Sequence, residues 1–224
     1  RHSSKLGGTH GYLRHRGPDE QSYTAADNYE LEFSRLTITG TTEGQVPVYS
    51  ENGKWLVAFN GEIYNFKQLI ESYRLPRTSS DTKVIANGLE KYGLDFLKQL
   101  RGMFAGVVID LGTNTKYIFR DPLGEKPLFY FRDNDQFVVA SEFTALLRML
   151  NRPLKLNPKA VTDYFRFGYV QEPETFDADI FAIKPGAIIE LREGNLFAEV
   201  RSLEGYNEDE LGVDLPDLLE VLNS

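Results

Sequence analysis

The residues of this chain best suited to chemistry lie between positions 35 and 81. Asn60 and Gly61 are followed directly by the acid Glu62. An Asn amide and a Gly backbone N–H can both donate hydrogen bonds to a developing oxyanion. Arg35 can hold a carboxylate through two parallel hydrogen bonds, while Glu62 and Asp81 can hold an ammonium group. Together they predict a site that clamps a free amino acid and places its side-chain end beside the Asn60-Gly61 donors.

Each of these residues also has an ordinary interpretation. Asn-Gly is a common hairpin dipeptide, because it tolerates positive φ. An isolated Arg35 could be a solvated strand residue or a partner of Glu30 or Glu32. Glu62 could be a surface acid, and Asp81 stands where a helix N-cap belongs. It is the combination of the residues, more than any one of them, that indicates ligand binding.

Hydrophobic periodicity predicts the elements that position these side chains. Residues 29–34 alternate apolar and polar, which predicts a half-buried strand that continues to Gly40 and carries Arg35 late in its course. Residues 55–59 predict a second strand, which ends in a tight turn at Asn60-Gly61. Apolar residues then recur at helical spacing from an N-cap at Asp81 until Gly93.

Further strands and helices follow along the chain. Residues 94–100 predict a helix and residues 103–109 an apolar strand covered on both faces. Helices are also predicted from residue 141 to 150 and, with Asn157 as cap and Pro158 in the first turn, to about residue 165. Additional strands are predicted at residues 117–119, 128–131 and 137–140. The order of elements favours a layered α+β domain of antiparallel sheets with outer helices.

Ordered blocks over most of the chain carry a family resemblance. They are residues 14–19 (RHRGPD), 35–38 (RLTI), 44–47 (GQVP), 59–65 (FNGEIYN), 80–82 (SDT), 101–105 (RGMFA), 120–128 (RDPLGEKPL) and 184–186 (KPG). The chain thereby resembles the class II glutamine amidotransferase domain, most closely the glutaminase half of asparagine synthetases. The resemblance implies an αββα sandwich of the N-terminal-nucleophile type over residues 1–200. Residues 201–224 are expected to be an acidic linker and the start of a helix leading toward a synthetase domain.

The resemblance also implies roles for the site residues. Asn60 and Gly61 would stabilise the oxyanion while Arg35, Glu62 and Asp81 position glutamine, which is hydrolysed to glutamate and ammonia for an acceptor such as aspartate. The family nucleophile is an N-terminal Cys, and the chain contains no cysteine. The nucleophile is therefore expected upstream of Arg1. No cofactor is implied for this half-reaction, whereas ATP and Mg²⁺ would serve the synthetase half.

Two alternatives stay open at this point. The domain could be a catalytically silent scaffold, as in β-lactam-synthetase-like relatives that lack the Cys, or a sensor that binds glutamine or glutamate without turnover. Retention of Arg35, Asn60 and Asp81 favours the glutaminase, because a silent scaffold gains nothing from keeping a substrate clamp.

Composition limits the partners. The 33 acids outnumber the 25 bases for a net charge of -8, which argues against nucleic acid. No apolar run is long enough to span a bilayer and no signal sequence is visible, so we expect no membrane partner and a cytoplasmic protein. The histidines His2, His10 and His15 lack ligand spacing, so no metal site is expected. The expected partners are glutamine and a synthetase domain or subunit, and a homodimer is compatible with the sequence.

Overall fold

The longest strands are built from the most apolar segments of the chain. In the computed structural model, which describes residues 11–26, 28–35, 47–192 and 200–203, β4 (Trp55–Ile63) pairs antiparallel with β5 (Gly102–Asp110) along its whole length. These two strands belong to a six-stranded sheet of order β11-β10-β6-β5-β4-β3. Its other strands are β3 (Val48–Tyr49), β6 (Thr115–Arg120), β10 (Ala187–Leu191) and β11 (Val200–Ser202).

The described residues form two smaller sheets as well. A three-stranded antiparallel sheet has the order β8-β7-β9. Its strands are β7 (Phe129–Arg132), β8 (Phe137–Ala140) and β9 (Ile180–Ala182). A separate hairpin joins β1 (Glu20–Ala26) to β2 (Tyr29–Arg35), with Glu20 opposite Arg35.

The helices are α1 (Phe66–Ser72), α2 (Asp81–Tyr92), α3 (Phe143–Met149) and α4 (Pro158–Phe167), and a 3₁₀ helix covers Gly93–Gln99. Asn157 caps α4 by accepting hydrogen bonds from the backbone of Lys159 and Ala160, as the sequence predicted. No helix of the described residues is long and apolar enough to cross a membrane.

Alternating side chains divide the core into layers. On one face of the six-stranded sheet, Phe104 and Val108 of β5 lie in a cluster with residues of α1, α2 and the 3₁₀ helix. On the opposite face, Ala105 and Val107 of β5 lie in a cluster with residues of β7 and β8. The far side of the three-stranded sheet packs against α3. The order is helix, sheet, sheet, helix, which confirms the predicted αββα sandwich.

A tight turn after β6 anchors the middle of the large sheet. Asp121 is fully buried, and its carboxylate accepts hydrogen bonds from the backbone N–H groups of Phe104, Leu123, Glu125 and Lys126. Buried carboxylates need such donors, because an unpaired charge in the interior is strongly unfavourable. These four donors hold the turn against the large sheet.

Three local predictions were wrong. Asn60 and Gly61 do not form a turn but continue β4 to Ile63. The N-cap of α2 is Ser80, whose Oγ accepts from the backbone N–H of Lys83, and Asp81 is the first helical residue. The helix predicted at 94–100 is a 3₁₀ helix. The predicted extension of β2 to Gly40 and the helix after residue 214 lie outside the described residues.

Candidate functional site

Gly61 turns its backbone N–H away from the β4–β5 ladder. Gly61 lies opposite Phe104, whose carbonyl accepts from the N–H of Asp121 at 2.7 Å and whose own N–H donates to the Asp121 carboxylate at 3.3 Å. The polar backbone groups of Phe104 therefore face β6. Gly61 and Phe104 thus form a non-hydrogen-bonded pair of the antiparallel ladder, in which the N–H and C=O of both residues point outward.

The outer edge of β4 is open at Gly61 within the described residues. β3 pairs only through Val48 and Tyr49, which lie opposite Val57 and Leu56. No described strand reaches the N–H of Gly61. This N–H is therefore a backbone donor available to a ligand at the edge of the sheet.

The Asn60 side chain lies beside this edge on the inner face of the sheet. Its neighbour Phe59 packs in the helix-covered core, so Asn60 points to the opposite face, as alternation along a strand requires. Ala105, the residue opposite Asn60, belongs to the cluster between the two sheets. The half-buried Asn60 amide makes no hydrogen bond in the part of the chain that the structure describes. Asn60 and Gly61 thus supply two donors that no described group accepts from.

The Asp81 carboxylate is joined to the same strand edge. It accepts a hydrogen bond from the backbone N–H of Ile63 at 3.2 Å and another from Thr82 at 2.7 Å. Ile63 is two residues beyond Gly61, so both N–H groups lie on the same side of β4. The first turn of α2 is thereby fixed against the strand that carries Asn60, Gly61 and Glu62.

The electrostatics of this edge favour a cationic ligand. Burial raises the pKa of Asp81 above its ordinary value, and the charge of Glu62 raises it further, while hydrogen bonds from Ile63 and Thr82 act in the opposite direction. Glu62 is exposed, and no described cation pairs with either carboxylate. Two neighbouring carboxylates lower their mutual repulsion by taking up a positive charge between them. An ammonium group fits this requirement.

Arg35 is the predicted site residue of which only the backbone is described. It is the last residue of β2, opposite Glu20, and its side chain lies outside what the structure describes. The structure therefore brings Asn60, Gly61, Glu62 and Asp81 to one strand edge, whereas the predicted carboxylate contact of Arg35 stays a prediction.

A cleft of about 600 Å³ lies between the start of α1 and the segment that leads into α2. It is lined by Phe66, Lys67, Arg77, Thr78 and Ser79. Phe66 follows the end of β4 closely, and Ser79 precedes Asp81 by two residues. None of Asn60, Gly61, Glu62 and Asp81 is among the residues that line it.

Two positions that support the site were not selected as site residues from the sequence. Ser80 caps α2, while the neighbouring Asp81 carboxylate accepts from Ile63. Gly102 lies opposite Ile63 with a φ of 151° and meets the backbone of Glu62. Each lies in a block quoted above, but only the folded chain places them against β4.

Comparisons with known proteins show the family to which the chain belongs. A family model described as a glutamine amidotransferase domain matches residues 2–201. Asparagine synthetase [glutamine-hydrolyzing] 1 of Bacillus subtilis is 35% identical over 182 residues, which cover 80% of this chain and 29% of that protein. Asparagine synthetase B [glutamine-hydrolyzing] of Escherichia coli is 39% identical over 139 residues, which cover 60% of this chain and 25% of that protein. The chain thus spans less than a third of either relative.

Solved structures support the fold. Glutamine phosphoribosylpyrophosphate amidotransferase from B. subtilis, complexed with ADP and GMP, superposes with a TM-score of 0.53 at 20% identity. The match covers 79% of this chain and 35% of that one. A structure described as the allosteric regulatory enzyme of purine biosynthesis gives a TM-score of 0.54 at 21% identity. At such identities the likeness concerns the fold alone.

Proposed function

Because the chain belongs to the glutamine amidotransferase domain family, we propose that it binds glutamine at the outer edge of β4 and releases ammonia from the side-chain amide. One observation carries the proposal: the hydrogen bond from Ile63 to Asp81 brings two carboxylates that no described cation neutralises beside the Asn60 and Gly61 donors, for which the described residues supply no acceptor. The carboxylates take the substrate ammonium, and the donors take the oxygen of its carboxamide.

The chemical steps require a nucleophile upstream of Arg1, since the chain has no cysteine. A Cys thiolate adds to the carboxamide carbon, with its own α-amine accepting the thiol proton. Asn60 and Gly61 hold the oxyanion of the tetrahedral intermediate. Collapse of the intermediate passes the proton to the leaving nitrogen and expels ammonia. Water then hydrolyses the thioester to give glutamate and restore the thiol.

The ammonia would be used elsewhere in a longer protein or assembly. The relatives are glutamine-hydrolysing asparagine synthetases, and this chain spans 29% and 25% of the two compared above. The proposal extends accordingly to a synthetase domain or subunit that transfers ammonia to an acceptor such as aspartate. ATP and Mg²⁺ would be needed for that half of the reaction and not for the glutaminase half.

Calorimetry with two related ligands tests the binding site. Glutamine should bind the chain as it stands, whereas N-acetylglutamine, which lacks the α-ammonium, should bind at least tenfold more weakly, because a charge-assisted hydrogen bond contributes about 1.5–3 kcal/mol. Equal affinity for both ligands would show that Glu62 and Asp81 do not hold the ammonium. Absence of glutamine binding would overturn the proposed function.

A version with an N-terminal Cys in front of the domain tests the chemistry. Release of ammonia and glutamate in equal amounts is expected from this version and not from the Cys-free chain. Binding of glutamine without hydrolysis by the Cys-containing protein would instead support the sensor alternative.

A further inference from the structure

Two glycines on neighbouring strands approach each other's backbones at the edge of the site. Gly61 in β4 has a φ of 145° and Gly102 in β5 a φ of 151°. A Cβ at Gly61 would collide with the carbonyl oxygen of Met103, and a Cβ at Gly102 would collide with the carbonyl oxygen of Glu62. The contacts are reciprocal. Gly61 faces Met103, which follows Gly102 in the chain, and Gly102 faces Glu62, which follows Gly61.

This pairing of glycines affects where the backbone of Glu62 lies. Gly102 leaves space for the Glu62 carbonyl, and Gly61 leaves space for the Met103 carbonyl. Glu62 and Met103 lie opposite each other in the register. The backbone of Glu62 can therefore approach β5 closely, while the N–H groups of Gly61 and Ile63 face outward. A side chain at Gly102 would push the Glu62 carbonyl away from β5.

We infer that Gly102 is a positioning residue for substrate: it sets the location of the Glu62 carboxylate relative to Asp81 and so tunes the ammonium clamp. This inference rests on the proposed function and deepens it. Gly102 does not touch the ligand. It acts through the backbone of Glu62, the residue between the Gly61 donor and the Ile63 N–H that binds Asp81.

A merely structural role for Gly102 is the competing explanation, since glycines are common where strands twist or bulge. Gly106, in the same strand, provides the comparison. A Cβ there would lie 2.7 Å from the Ala58 carbonyl oxygen and from the Phe59 Cβ, so it is also tightly packed. Its contacts lie at the helix-facing core and away from Glu62. Gly106→Ala therefore imitates the crowding caused by Gly102→Ala without moving Glu62.

The test compares glutamine binding to the unmodified chain, Gly102→Ala and Gly106→Ala, each well below its melting temperature. Both variants should melt at lower temperature. Gly102→Ala should bind glutamine about tenfold more weakly or worse, the scale of one disturbed charge-assisted hydrogen bond, and Gly106→Ala should bind it normally. Unchanged affinity in Gly102→Ala, or equal losses in both variants, overturns the inference while leaving the proposed function intact. Absence of binding to the unmodified chain overturns the proposed function, and this inference with it.

A second measurement decides the matter if Gly102→Ala does not fold. In the ¹⁵N-labelled unmodified chain, glutamine should shift the amide resonances of Gly102 and Met103 together with those of Gly61 and Glu62. The amide of Gly106 should not shift. If only the amides of Gly61 and Glu62 shifted, the contact between Gly102 and the Glu62 backbone would not be coupled to glutamine binding. That result would overturn the inference.

Discussion

The Asp81 carboxylate accepts a hydrogen bond from the backbone N–H of Ile63, eighteen positions earlier in the chain, at 3.2 Å. This hydrogen bond fastens the first turn of α2 to the edge of β4. It occupies one oxygen of a carboxylate whose helix is already capped by Ser80. The capping and binding roles, which compete for Asp81 in the sequence, are thus divided between two neighbouring residues.

Asp81→Asn should separate binding from stability. The single Asn oxygen can accept from Ile63 or from Thr82 but not from both, whereas the cost of burying a charge is removed and Ser80 still caps α2, so the melting temperature at neutral pH should change little. Glutamine affinity should fall by about 1.5 kcal/mol or more, because the charge that pairs with the ammonium is gone. Calorimetry and thermal melting on the same sample measure both quantities.

Ser80→Ala is the matched control for Asp81→Asn. It removes the cap, which should cost about 1 kcal/mol of stability, and leaves the Asp81 charge in place. Glutamine affinity should therefore be close to that of the unmodified chain. If Asp81→Asn behaved like Ser80→Ala, with lost stability and normal affinity, Asp81 would be a structural residue.

Glutamine binding should depend on pH through Asp81. Burial raises the pKa of Asp81 above the ordinary value of 3.8. An ammonium ligand favours the ionised carboxylate and lowers this pKa, so binding should release protons at pH values near the raised folded pKa, and affinity should rise as pH rises through it. Calorimetry in buffers of different ionisation enthalpy measures the protons released. Asp81→Asn should abolish that release.

The raised pKa of Asp81 also determines how the free energy of unfolding depends on pH. A carboxyl group whose folded pKa is raised contributes stability below its unfolded pKa and loses it as pH rises through the folded value. Ionisation of Asp81 should therefore make the free energy of unfolding smaller at neutral pH than it would be with a protonated Asp81. The stability of the unmodified chain relative to Asp81→Asn should be highest near pH 3, about one unit below the ordinary Asp pKa, and should fall as pH rises toward neutral. Denaturant unfolding at several pH values measures it.

Asp177 should show the opposite dependence. It is fully buried, and Arg152 donates two hydrogen bonds to it at 2.8 and 2.9 Å. Burial alone would raise the pKa of Asp177, but the hydrogen bonds from Arg152 and from backbone N–H groups outweigh it and hold the pKa below its usual range. The associated stability is present above the unfolded pKa and is lost as pH falls through the folded pKa.

Arg152→Ala should therefore be strongly destabilising. It leaves the buried carboxylate of Asp177 without its cation, a change that typically costs about 3–5 kcal/mol. Lys98→Ala provides the control, because Lys98 pairs with the exposed Asp95 at 3.2 Å and exposed pairs contribute about 0–1 kcal/mol. Equilibrium unfolding in urea compares the two. A loss below about 1 kcal/mol in Arg152→Ala would contradict the importance of this pair.

The oxyanion assignment predicts a specific kinetic change. In a version with the upstream Cys, Asn60→Ala should lower glutaminase turnover by about 10²-fold or more and change glutamine binding less, because the donor acts mainly on the transition state. Arg35→Ala should act chiefly on the Michaelis constant. If both variants raised the Michaelis constant equally and kept normal turnover, the division of roles would be wrong.

Local sequence signals were sufficient for most elements. Asn157 caps α4, Pro158 lies in its first turn and Gly168 follows it in a left-handed conformation. The strand predicted at residues 137–140, a continuous apolar run, is β8 with its observed bounds. Caps, prolines, glycines and alternating side chains act within a few residues of chain, so their effects can be inferred without the fold.

The candidate site could be predicted only in part. Residue types and the family resemblance identified Asn60, Gly61, Glu62 and Asp81 as a group, and the fold places them at one strand edge. The conformation of Asn60-Gly61 depended on tertiary structure: the dipeptide alone favours a turn, but pairing with β5 through Ile63 keeps the strand extended. The direction of the Gly61 N–H followed from Asp121, which takes both backbone groups of Phe104. Such contacts join residues far apart in sequence, and their energies depend on the packed arrangement of strands and helices rather than on any local pattern.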